Sequence, residues 1–336
     1  MLRGNLPYHE RTHVTAALTL PSLIQGGMGV GVSNWRLART VSMHGHLGVV
    51  SGTSIDNLLV RRLADGDPGG HMRRALEAFP IQEIAQEALD KFFRPDGLEP
   101  DEKYPLLPMY RHVVKKFTHE MSVLANFVEV WLAKQGHDGV VGINLLTKVQ
   151  MPNLPSLYGA MLAGVDYVLM GAGIPKEIPG ALDKMAEHMA AAIRLDVDGE
   201  HRGEATFLEF DPATLWEKIP AALRRPKFLP IISSNSLATM LVRKANGRVD
   251  GFIVEKPTAG GHNAPPRGTL VENEKGEPQY SERDVVDLEK LGTLGLPFWV
   301  AGSAGRPGEL ERFQKQGAAG IQVGTLFAFC EESGIE

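Results

Sequence analysis

Eight short apolar runs recur along this chain, each followed by glycine or a small polar residue and then by a helical pattern, and that recurrence limits the fold more than any other feature. The runs are 20–24, 47–51, 139–145, 167–170, 229–233, 251–254, 298–301 and 320–323. Their aliphatic and β-branched residues show no strict polar alternation, the pattern of strands covered on both faces in a parallel sheet. Turns such as Gly164-Val165-Asp166 and Gly317-Ala318-Ala319-Gly320 stand where a helix ends and the next strand begins. Eight such units, with glycines at the carboxyl ends of the strands, predict an α/β chain closed into a (β/α)8 barrel, one domain over residues 1–336. The competing open sheet requires a glycine-rich dinucleotide turn. Gly26-Gly27-Met28-Gly29-Val30-Gly31 comes closest, but 47–51 leads into Gly52-Thr53-Ser54 with no acidic residue in the usual place.

Three segments exceed what simple crossovers need. Residues 55–138 read as a helical insertion or lid, with helical periodicity over 80–93 and 108–135. Residues 194–210 read as a β-hairpin around the turn-rich 198–203, and 263–283 as a polar active-site loop that closes over a ligand. The sequence stops at Glu336, where an eighth helix is due, so the native chain is expected to be longer.

A net charge of -5 and a pI near 6.1 give no concentrated positive surface for a nucleic-acid partner. No apolar stretch approaches the roughly 20 residues that span a bilayer, so no membrane partner is expected. One cysteine, Cys330, fits a reducing, cytoplasmic setting. The histidines His44, His46, His71 and His119 have no metal-ligand spacing, and no metal is expected. A homodimer is the base-rate expectation for a soluble enzyme.

The candidate site gathers at the strand ends. Ala259-Gly260-Gly261-His262 follows the sixth predicted strand, placing exposed backbone amides beside a titratable ring. A barrel that binds a phosphorylated cofactor commonly grips its phosphate after strands seven and eight. Here those loops carry Ala301, Gly302 and Ser303, and Gln322, Gly324 and Thr325; glycines let amides converge on an anion. The first-strand loop Gln25-Gly26-Gly27-Met28-Gly29 and Asn144 at the third strand supply amides for a heterocycle with alternating donors and acceptors, a description that flavin meets. Asn144 tying down a neighbouring loop is the alternative. His262 is the expected proton acceptor, its alternative being a bond to a loop carbonyl.

These four motifs, in this order, resemble the nitronate monooxygenases, formerly called 2-nitropropane dioxygenases, over residues 20–333. The resemblance implies a TIM barrel with noncovalent FMN. The Gly-Gly pair and the last two loops would grip its phosphate, the first-strand loop and Asn144 would lie along the ring, and His262 would be the base. It also implies oxidation of alkyl nitronates by O2 to carbonyl compounds and nitrite. The same superfamily contains FMN-dependent enoyl-acyl carrier protein reductases, which would use NAD(P)H and an enoyl thioester. The 55–138 insertion and Asn263-Ala264-Pro265-Pro266-Arg267-Gly268 look more like that larger branch. A noncatalytic FMN-binding module is the third reading.

Overall fold

The computed structural model describes residues 20–111, 113–199, 201, 204–261 and 263–335. Eight parallel strands close into a barrel: β1 (Leu23–Gln25), β2 (Leu47–Ser51), β3 (Val141–Leu146), β4 (Tyr167–Gly171), β7 (Lys227–Ile232), β8 (Phe252–Glu255), β9 (Phe298–Ala301) and β10 (Gly320–Val323). Closure is made by β1 against β10, with Ile24 opposite Gln322, and by β1 against β2, with Ile24 opposite Leu47. All eight predicted runs are barrel strands, with ends shifted by a few residues. The antiparallel pair β5 (Ala191–Leu195) and β6 (Thr206–Phe210) forms the predicted hairpin, beginning three residues earlier than expected.

The periodicity of the strands sorts their side chains into two cores. Ile24, Leu47, Val49, Tyr167, Leu169, Leu229, Ile253, Trp299 and Ala301 fill the inside of the barrel. Outward residues such as Ile143, Val168, Phe228, Val254 and Val300 pack under the helices. Before two strands, an aspartate ties the turn to the neighbouring strand: Asp166 accepts from Val141 N at 2.8 Å and Asp250 from Phe228 N at 2.9 Å. Both carboxylates also pair with arginines, Arg224 and Arg225 respectively.

Helix α1 (Trp35–Met43) starts at Asn34, whose side chain accepts from Arg36 N and Leu37 N at 2.8 and 3.2 Å. Between β2 and β3 come α2 (Ile55–Ala64), α3 (His71–Glu77), α4 (Gln82–Phe92) and α5 (Lys116–Ala133). The helical pattern predicted over 108–135 becomes a helix only from Lys116, eight residues later than expected. α5 is the crossover helix, buried on nearly every face, and α2 to α4 pack on it. Phe79 meets Phe127 edge-on at 5.0 Å, and Arg62 pairs with buried Glu129 at 2.6 Å. The remaining helices are α6 (Asn153–Leu162), α7 (Ile178–Ala186), α8 (Asn235–Lys244), α9 (Leu288–Gly292) and α10 (Glu309–Lys315). No described helix is long and apolar enough to cross a membrane.

Candidate functional site

The carboxyl end of the barrel collects the residues that the sequence singled out, and glycine is what lets them approach. A Cβ on Gly27 would lie 2.5 Å from Asn144 Cβ, and one on Gly26 would lie 2.9 Å from Gln322 Cδ. The first-strand loop therefore rests directly on two side-chain amides from β3 and β10. Gly324 faces Met28, whose Cγ would be 3.8 Å from an added Cβ. On the other side of the mouth, a Cβ on Gly260 would lie 2.6 Å from Thr325 Oγ1. A Cβ on Gly302 would meet Ala259 N at 2.9 Å and Thr258 Oγ1 at 3.1 Å. Gly302 also has φ +99°, and its neighbour Ser303 has φ +51° without being glycine.

The backbone here carries unspent donors. Among the described residues, the N–H groups of Gly260, Gly261, Gly302, Ser303 and Gly324 reach no acceptor. Gly260, Gly261 and Ser303 are exposed. Thr325 opens a short 3-10 helix, Thr325–Phe329, so its own amide is also outside the helical bonding. Such amides at the ends of three adjacent strands suit an anion. Ala301 is 5% exposed and its carbonyl accepts from Lys256 N at 3.0 Å, which anchors the turn that holds Ala259 to Gly261. Gly29 is exposed at the outer edge of the first loop.

The side-chain amides divide into spent and unspent. Gln25 is fully buried; its Nε2 donates to Gly26 O at 2.7 Å and Ser33 Oγ at 3.2 Å, and its Oε1 accepts from Val49 N at 3.0 Å. With these three bonds Gln25 fixes the first loop from behind. Asn144 Nδ2 donates to Leu169 O at 3.0 Å, across to β4. Gln322 presents a buried Oε1 with no partner, a group that costs about 1–3 kcal/mol until something donates to it. His262 lies outside the described residues.

Glu255 was missed by the sequence reading. It ends β8 two residues after the inward-facing Ile253, so it points into the mouth, and burial pushes its carboxyl up to about 7. The signal was the alternation itself: an acidic residue at an inward position of an otherwise apolar strand. Beside it, under the 263–283 loop, lies a small cleft of about 20 Å3, room for about one water molecule, lined in part by Ser233, Lys256, Asn263, Arg267 and Asp284. Asn263 Nδ2 donates to Pro257 O and Ala259 O, both at 3.0 Å, holding the glycine turn closed. Among the described residues no group of three metal-ligating side chains comes together.

No family model matches this sequence and no curated protein matches it. Solved structures with a similar fold include FabK from Thermotoga maritima, 15% identical over 95% of this chain and 63% of its own, with a TM-score of 0.49. Nitroalkane oxidase from Streptomyces ansochromogenes is 14% identical over 95% of this chain and 69% of its own, with a TM-score of 0.45. The enoyl reductase domain of MlnA, from the macrolactin biosynthesis cluster of Bacillus amyloliquefaciens, is 12% identical over 93% of this chain and 55% of its own, with a TM-score of 0.45. This chain therefore spans less than two thirds of the length of FabK and of the MlnA domain, and at these identities the likeness concerns fold and not chemistry.

Proposed function

We propose that this chain is an FMN-dependent oxidoreductase whose site is the carboxyl mouth of the barrel. The observation that carries the reading is the set of acceptorless amides at Gly260, Gly261, Gly302, Ser303 and Gly324, drawn together from the ends of β8, β9 and β10. They would hold the phosphate, with Ala259 shaping the turn and Thr325 adding a hydroxyl. The unpaired Oε1 of Gln322 and the amide of Asn144, with the Gly26, Gly27 and Met28 backbone between them, would border the ring, Gly29 flanking and Gln25 bracing that loop. When bound, FMN supplies one- and two-electron transfer. The protein's part is to orient the ring, exclude water beneath the 263–283 loop and move protons at His262.

Nitronate monooxygenase chemistry, the oxidation of alkyl nitronates with O2 to carbonyl compounds and nitrite, is the reading that the four motifs support. A second, NAD(P)H-dependent reduction of an enoyl thioester, is favoured by Glu255, because a carboxyl that keeps its proton near neutral pH suits a reaction that adds hydrogen to carbon. One purified sample decides between them. Nitrite released from a nitronate under air without NAD(P)H supports the first. NAD(P)H consumption dependent on an enoyl thioester supports the second. Bound flavin with neither activity leaves a noncatalytic FMN-binding module, and failure to bind FMN refutes the whole reading.

A further inference from the structure

The exposed apolar side chains of this molecule are not evenly scattered, and their densest group lies on the helical insertion, outside the barrel. Four large apolar side chains among the described residues are more than four-fifths exposed; three of them, Leu106, Met109 and Val113 at 87%, 85% and 82%, fall within eight residues of chain. Leu106 and Met109 belong to a strap, residues 103–111, that crosses the insertion as neither helix nor strand. The strap is pinned at both ends. Tyr104 OH donates to Asp65 Oδ1 at 2.8 Å, just past the end of α2, and Arg61 lies over the Tyr104 ring at 5.1 Å. Tyr110 OH is hydrogen-bonded to Ser122 Oγ on α5 at 2.6 Å, and its phenol feels the charge of Asp56 at the start of α2. The strap therefore runs back along α2, a length of about 15 Å. Between the pins Leu107 packs inward on the core, which leaves Leu106 and Met109 facing water. Apolar groups held outward on an anchored segment mark an interaction face.

The charges around the strap point to what covers it. Glu99, Asp101 and Glu102 precede its apolar part, with Lys103 the one exception, and Arg111, Lys115 and Lys116 follow. Apart from Lys116, which reaches Glu120 at 3.5 Å, none of these side chains makes an ion pair among the described residues. An acidic end, an apolar middle and a basic end form a pattern that is complementary to itself when turned end for end. We propose that the strap is a homodimer face, meeting the same strap of a second copy antiparallel about a two-fold axis between Leu107 and Pro108. That axis sets Leu106 of one copy against Met109 of the other and carries each acidic end to a basic end, twice over, as an isologous contact requires. Pro105 and Pro108 lack the N–H of a continuous ladder, so the contact closes at two chains and does not extend as a sheet. A partner of a single charge sign would match one end of the strap and be repelled by the other. The face stands whether or not the barrel mouth holds flavin.

Sedimentation equilibrium of the full chain tests the face, with urea denaturation of each variant as the folding control. The unaltered chain should reach twice its 36.6 kDa, and added salt should weaken the dimer. Leu106→Glu combined with Met109→Glu should give folded monomers, since both side chains already face water in the single chain. Reversing the charge of one end is the more specific perturbation. Arg111→Glu with Lys115→Glu, and separately Glu99→Lys with Asp101→Lys, should each raise the dimer Kd at least about 100-fold. Mixed in equal amounts, those two monomeric variants should form a heterodimer, because every acidic end then meets a basic one. An unaltered chain that stays monomeric at every concentration leaves the strap to a foreign partner and overturns the proposal. So does a dimer that survives both the apolar substitutions and the end reversals, or a pair of reversed variants that remains monomeric on mixing.

Discussion

Gly302→Ala puts the proposed anion cradle to its most direct test, because two independent features of that position oppose a side chain. Its φ of +99° is a region that residues with a Cβ enter at a cost of about 1–3 kcal/mol. The new methyl would also stand 2.9 Å from Ala259 N and 3.0 Å from Lys256 Cβ, and the backbone nitrogen has no flexible end with which to give way. The turn from Lys256 to Gly261 must then move by several tenths of an ångström, taking the amides of Gly260 and Gly261 with it. A charge-assisted hydrogen bond is worth about 1.5–3 kcal/mol, so loss of one such amide from a bound phosphate weakens FMN by about 10- to 100-fold. Gly292→Ala is the matched control. It lies at the end of α9 with nothing within 4 Å of the added methyl, and should leave stability unchanged or raise it by up to about 1 kcal/mol. Urea denaturation of the two apo-proteins gives the stability difference, and fluorescence titration with FMN gives the affinities. FMN binding by Gly302→Ala within twofold of the unaltered chain, despite the expected loss of stability, refutes the cradle.

Gly27→Ala, whose methyl would press to 2.5 Å from Asn144 Cβ, should displace the Asn144 amide and lower FMN affinity at least about tenfold, measured by the same titration. Gln25→Leu removes the partners of Val49 N and Gly26 O in a fully buried setting and should cost about 2–4 kcal/mol in urea denaturation, with the loss reduced if water enters. Glu255 gives a pH-dependent stability: its carboxyl rises from 4.5 to about 7 on folding, so the native state holds more protons in that window and stability falls as pH increases through it. At 1.36 kcal/mol per pH unit the full effect is about 3 kcal/mol, and partial solvation reduces it to about 1–2; Glu255→Gln should flatten the curve, and parallel curves in urea denaturation between pH 4.5 and 8 refute it. His262→Ala is expected to slow the proton-dependent step in steady-state kinetics with flavin still bound; loss of flavin would assign His262 to binding instead.

Periodicity and punctuation made the barrel readable in advance. An apolar run too short for a helix, closed by glycine and followed by a 3.6-residue pattern, has few ways to bury both faces, and eight in succession leave the closed parallel sheet. Positions such as Gly26, Gly27, Gly260 and Gly302 were legible for the same reason, since glycine at a strand end marks a close approach whatever its partner. The partners themselves were not legible. That Gly27 rests on Asn144 and Gly260 on Thr325 follows from the pairing of strands around the closed barrel, which joins residues far apart in the chain. Gln25 reads in one dimension as an available amide, yet Ser33 and Val49 consume its bonds once the strands pair. Glu255 reads as the end of a strand, and only the barrel turns that end inward and buries part of its carboxyl. Local sequence settles what each segment can bury or bend, because those preferences are short-range. Which polar groups remain unsatisfied is decided by the tertiary structure, because satisfaction depends on neighbours that the chain brings together only by closing the barrel.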